Sequence, residues 1–100
     1  MTDCCLHLLC PLGVEERAID VLLARGEAGV FTSAPTRAHG FAHGRLSAAE
    51  QVSGRSDASL IHLVLPLLEV DGLLADLQRE LRGSGVRHWV TPVLRQGELS

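Results

Sequence analysis

Two strand-length runs of this 100-residue chain are apolar on both of their faces, and this constrains the fold more than any other feature. Asp3 to Cys10, closed by Pro11 and Gly13, sets Leu6 and Leu8 against Cys5 and Leu9. Ala58 to Leu65, interrupted only by His62 and stopped at Pro66, sets Ile61 and Leu63 against Leu60 and Val64. Successive side chains of a strand point to opposite faces, so a run that is apolar on both must be covered on both. Such strands need a layer over each face of their sheet. With 46% of its residues apolar, the chain has enough for one core and is too short for two, so a single domain over 1–100 is expected.

The rest of the chain supplies one of those layers. From Val14 to Arg25 the apolar Val14, Ala18, Val21 and Leu22 recur at helical spacing; Glu15 and Glu16 suit the positive N-terminal end, and Gly26 ends the helix. Gly29 to Thr36 reads as a second strand, kept to a sheet edge by Pro35. A polar, glycine-dotted loop is expected from Arg37 to Asp57, with Ser47-Ala48-Ala49-Glu50 matching a capping box and a helical turn over about Ser47 to Val52. Val70, Leu73, Leu74, Leu77 and Leu81 form the stripe of a second helix, with Glu69 and Asp71 at its start, Arg79 and Arg82 near its end and Gly83 beyond. Val86 to Leu94, centred on Trp89, gives a fourth strand. No internal repeat is evident at the residue level. The order βαββαβ, with right-handed crossovers, is a ferredoxin-like α+β sandwich: a four-stranded antiparallel sheet with two helices on one face. The other face is left bare yet apolar, which predicts a homo-oligomer.

Charge and cysteine usage narrow the function. The formal net charge is −3, all nine basic residues are arginines, and these are scattered, so no electrostatic footprint for nucleic acid exists. An acid at Asp3 and the absence of an apolar run of about 18 residues argue against a signal peptide and a membrane span, so a cytoplasmic protein is expected. Cys4, Cys5 and Cys10 crowd into one strand, a poor disulfide framework, and reduced thiols are the default. No nucleophile elbow, Walker loop or HExxH zinc motif is present, which points away from an enzyme. A small dimeric ferredoxin-like enzyme stays as an alternative, with His88 and Asp57 as its acid-base residues.

Gly29-Val30 leading into a strand, Ala38-His39-Gly40-Phe41-Ala42-His43-Gly44 opening a long loop, and Arg95-Gln96-Gly97-Glu98 after the last strand resemble the PII signal-transduction superfamily. Ser47 to Arg55 and His88-Trp89-Val90-Thr91-Pro92-Val93-Leu94 resemble, more narrowly, small PII-like proteins encoded beside heavy-metal efflux systems. The resemblance implies a homotrimer with inward-facing sheets, effectors in clefts between subunits, and a loop that docks on a partner such as a membrane efflux transporter. Nucleotide-binding members carry a lysine before the fourth strand; this chain has none and reads Gly83-Ser84-Gly85 there. Arg95 matches a basic position that meets phosphate, and Gly40, Gly83 and Gly85 allow backbone amides to approach an anion or nucleotide.

A transition metal such as zinc or copper is the other candidate ligand. His39 and His43 sit in the expected loop, either as ligands or as solvated side chains. His7 and His62 fall on the bare face, and Cys5 shares the parity of His7, so Cys5, His7 and His62 are candidate ligands, with hydrogen-bonded interface histidines as the alternative. Cys4 and Cys10 should point toward the helices as small apolar residues, and Trp89 should pack in an interface or cleft wall. Glu50, Gln51 and Arg55 are the loop candidates for effector or partner contact, or members of a solvated capping turn. The expectation is a PII-like regulatory protein tied to metal efflux or homeostasis, with a CutA-type metal-binding tolerance protein as runner-up.

Overall fold

A computed structural model describes residues 2–25, 29–41, 49 and 55–100. Strand β1, Asp3–Pro11, passes through a 3-10 turn at Leu12–Val14 into helix α1, Glu15–Ala24. Strands β2, Phe31–His39, and β3, Arg55–Pro66, form an antiparallel pair. A second 3-10 turn, Leu67–Glu69, leads into helix α2, Val70–Leu81, and strand β4, Arg87–Val93, completes the sheet. The spatial order is β2-β3-β1-β4, every neighbour antiparallel, with the two-faced apolar strands β1 and β3 adjacent in the middle. The βαββαβ sandwich and the edge position of the Pro35 strand are as the sequence predicts.

The two strand-to-helix joints are built alike, a local repeat that comparing residues along the chain does not reveal. In each, a proline ends a central strand and a leucine opens a 3-10 turn: Pro11-Leu12 and Pro66-Leu67. The proline has no N–H to donate, and its fixed φ, −54° and −60° here, favours a turn away from the ladder. Acidic residues then sit in the first turns, Glu15 and Glu16 in α1 and Asp71 in α2, where the helix dipole favours negative charge. Just beyond the end of α2 stands Gly83, whose φ of 76° is open to glycine and strained for other residues; the Ser84 amide donates back to the Leu81 carbonyl at 3.0 Å. Gly26 lies outside the described residues.

One face of the sheet holds the core. Leu6, Leu8 and Cys10 of β1 and Ile61 and Leu63 of β3 are buried against Ala18 and Leu22 of α1 and Leu73, Leu77 and Leu81 of α2. Fully burying a leucine or isoleucine contributes about 1.5–3 kcal/mol. Cys4 is buried on this same face, so Cys4 and Cys10 act as the small apolar residues expected.

The β2–β3 connection differs from the sequence reading. Arg37, Ala38 and His39 are strand residues, paired with Asp57, Ser56 and Arg55, so the expected loop from Arg37 to Asp57 contracts to 40–54. Backbone pairing does not depend on apolar side chains, and this end of the ladder sets Arg37 against Asp57, an opposite-charge cross-strand pair. His43, Glu50, Gln51 and the capping box around them lie outside the described residues; Ala49 within that stretch is helical and exposed.

Candidate functional site

The second face of the sheet carries the polar chemistry. Antiparallel register lines up Thr32 of β2, His62 of β3, His7 of β1 and Trp89 of β4 in one row across all four strands. Ala34, Leu60, Leu9 and Arg87 form the next row, and Val64, Cys5 and Thr91 flank it on the other side. Directly opposed side chains on one face are within reach of each other, and these meet. The rings of His7 and His62 lie edge to face, centroids 4.8 Å apart with an 81° interplanar angle. Trp89 stacks on the other side of His7, at 5.2 Å and 7°. His7 Nε2 and Thr91 Oγ1 are hydrogen-bonded at 2.9 Å.

This arrangement fixes the His7 ring on three sides. Burial on the sheet, and then the second imidazole of His62, push the His7 pKa below its ordinary value. The neutral imidazole therefore dominates at neutral pH. Val64 and Trp89 remain 38% and 42% exposed, and no helix lies on this face, so the bare apolar face the sequence predicts is present among the described residues.

The metal candidates separate. His7 and His62 come together as their parity predicts, and Cys5 lies on the same face, two residues along β1. Among the described residues no group of three or more His, Cys, Asp or Glu side chains is placed to hold a metal, and the two imidazoles are the candidates in ring contact. His39 ends β2 at the far tip of the β2–β3 ladder, away from that pair.

The anion candidates are also dispersed. Gly40, with φ 92°, and Arg55 stand at the β2–β3 tip. Gly83 and Gly85, with φ 76° and 88°, lie in the α2–β4 turn at the other lateral edge. Arg95 follows β4 at the opposite end, exposed, where the neighbouring Gln96 donates to Asp3 at 3.2 Å. The length of β4 divides Arg95 from the two glycines, so a cleft combining them needs more than one copy of the chain. The acid-base pair of the enzyme alternative does not form. His88 pairs with Leu8 on β4, while Asp57 lies four residues beyond Ile61 on β3, two strands away.

A charged groove between the helices escaped the sequence reading. Arg17, Asp20 and Arg25 of α1 and its C-terminal turn face Asp76, Arg79 and Glu80 of α2 around an open space of about 620 Å³. Asp76 accepts from both Arg25 and Arg79, and Arg25 foremost holds its carboxyl below the ordinary value. The signal was present as polar residues outside both apolar stripes, but helical spacing alone does not say which two polar faces adjoin.

The model of the DUF3240 family, proteins of unknown function, matches residues 1–100. The chain belongs to the DUF3240 family. None of the curated proteins matches it. Among solved structures, a DUF3240 family protein from Shewanella baltica is similar with a TM-score of 0.82 at 17% identity, over 100% of this chain and 99% of that one. CPII, a nitrogen regulatory PII-like protein from Thiomonas intermedia bound to ADP, AMP and bicarbonate, gives 0.73 at 18% identity over 99% and 98%. The periplasmic divalent cation tolerance protein CutA from Archaeoglobus fulgidus gives 0.71 at 11% identity over 96% and 88%. At these identities the likeness is one of fold, and it places this DUF3240 chain in the PII- and CutA-like ferredoxin-like architecture.

Proposed function

We propose that this DUF3240 protein is a PII-like regulator rather than an enzyme, one that assembles as a homotrimer through the bare sheet face. It binds a small anion or nucleotide between subunits and signals to a partner through the 40–54 segment. The carrying observation is the full-length likeness of fold to CPII, whose structure holds ADP, AMP and bicarbonate. Two features of the chain support it. The apolar rows around Leu9, Leu60 and Val64 call for a second layer, and the anion candidates Gly40, Arg55, Gly83, Gly85 and Arg95 are too dispersed to meet within one copy. The link to heavy-metal efflux or homeostasis, with a membrane efflux transporter as partner, rests on the resemblance of residues 47–55 and 88–94. No helix among the described residues is long and apolar enough to cross a membrane.

Isothermal titration calorimetry with ADP, AMP and bicarbonate tests this reading. Saturable binding of one of them is expected, weakened about tenfold or more by Arg95→Ala, since a charge-assisted hydrogen bond contributes about 1.5–3 kcal/mol. Absence of binding by all three would turn the assignment to the second reading, a CutA-type protein that binds metal directly. The His7–His62 pair and the fold shared with the Archaeoglobus protein favour that alternative.

A further inference from the structure

We propose that His7 and His62 form a two-imidazole site for a borderline transition-metal ion, zinc or nickel in class, on the bare face of the sheet. Imidazole nitrogens bind such ions at about 2.0–2.1 Å, and two rings sharing one ion at an angle between square and tetrahedral have centroids about 4.5–5.2 Å apart. The observed separation is 4.8 Å, held by direct cross-strand pairing of two central strands rather than by a loop. The rings now meet edge to face, and closing both on an ion needs rotation about a Cβ–Cγ bond, a broad torsion in histidine.

The surroundings of His7 are those of an oriented ligand. The hydrogen bond between Nε2 and Thr91 Oγ1, 2.9 Å, aims the ring and leaves Nδ1 to face an ion; in the tautomer that donates from Nε2, the Nδ1 lone pair is available as a ligand. Trp89 stacked on the ring restricts its tilt. The His62 ring makes no hydrogen bond with the described residues, so both ring nitrogens are open to an ion. One chain provides two ligands, and water or a neighbouring copy fills the remaining positions. The site therefore goes beyond the regulatory reading and stands whether or not the chains assemble.

Zn2+ and Ni2+ are suitable probes because neither oxidises the three free thiols. Calorimetry with Zn2+ on the full chain is expected to give one site per chain. Ni2+ is expected to quench the fluorescence of Trp89, the sole tryptophan, which stands beside the site. His7→Gln and His62→Gln should each weaken Zn2+ at least tenfold and remove the quenching, while His39→Gln and His88→Gln leave both unchanged. Unaltered affinity and quenching in the His7→Gln, His62→Gln double variant would overturn the site. So would loss of binding in Cys5→Ser with His62→Gln unaffected. Should the glutamine variants fail to fold, the imidazole proton resonances of the unaltered protein decide. Ni2+ must broaden those of His7 and His62 before those of His39, His43 and His88, and the reverse order contradicts the proposal. Sedimentation velocity without metal, run alongside, separates this outcome from failure of the trimer.

Discussion

Cys5, His7 and Cys10 share one strand, yet their chemistry divides by face. Cys10 is buried under the helices, and burial foremost, with Glu15 nearby, pushes its thiol up to about 11; Cys4 is buried and raised likewise. Cys5 stands half-buried on the open face. A thiol-reactive probe at neutral pH is expected to leave Cys4 and Cys10 unlabelled in the native protein and to reach all three cysteines in denaturant, read by intact mass. This division was legible in the sequence because strand side chains alternate with period two. The contacts of His7 with Trp89 and Thr91 were not, since they depend on which residues of β4 stand opposite β1, and no side-chain pattern writes that register into the chain. Asp76 supplies a pH signature. Arg25 and Arg79 depress its folded-state value, so the unfolded chain binds the proton more tightly. Its contribution is present above the ordinary carboxyl value near 4 and lost as pH falls through the depressed one. Asp76→Asn should therefore flatten the fall of the thermal midpoint below about pH 4, as followed by circular dichroism.

At the scale of elements, the central strands and α2 carry stability. Leu6 and Leu73 are 0% and 1% exposed and pack in the same cluster. Leu6→Ala or Leu73→Ala should each cost about 2–5 kcal/mol in urea unfolding. Gly83→Ala adds a methyl to open space at a positive φ, so its cost of about 1–2 kcal/mol is conformational rather than steric. The two helices were legible because their apolar stripes and terminal charges agree. The β2–β3 ladder was not, because Arg37, His39, Arg55 and Asp57 look like loop residues while their backbones pair. The residues buried at this end of the ladder, Ala38 and Ser56, are too small and too weakly apolar to mark a strand. The facing of Arg25 toward Asp76 was likewise hidden, because helix packing sets it rather than either helix.

For the whole molecule the question is what covers the second face of the sheet. Leu9, Leu60 and Val64 are arrayed there over the central strands with Trp89 beside them on β4, and in the regulatory reading three copies supply the missing layer to one another. Leu60→Asp puts a charge in the middle of that layer while leaving the helix-facing core untouched, so a folded chain that no longer assembles is expected. The most direct test of the account is native mass spectrometry of the purified chain. A species at three times the 10.7 kDa chain mass, lost in Leu60→Asp, is the predicted result. A dimer, or a monomer that persists at micromolar concentration, would contradict the account.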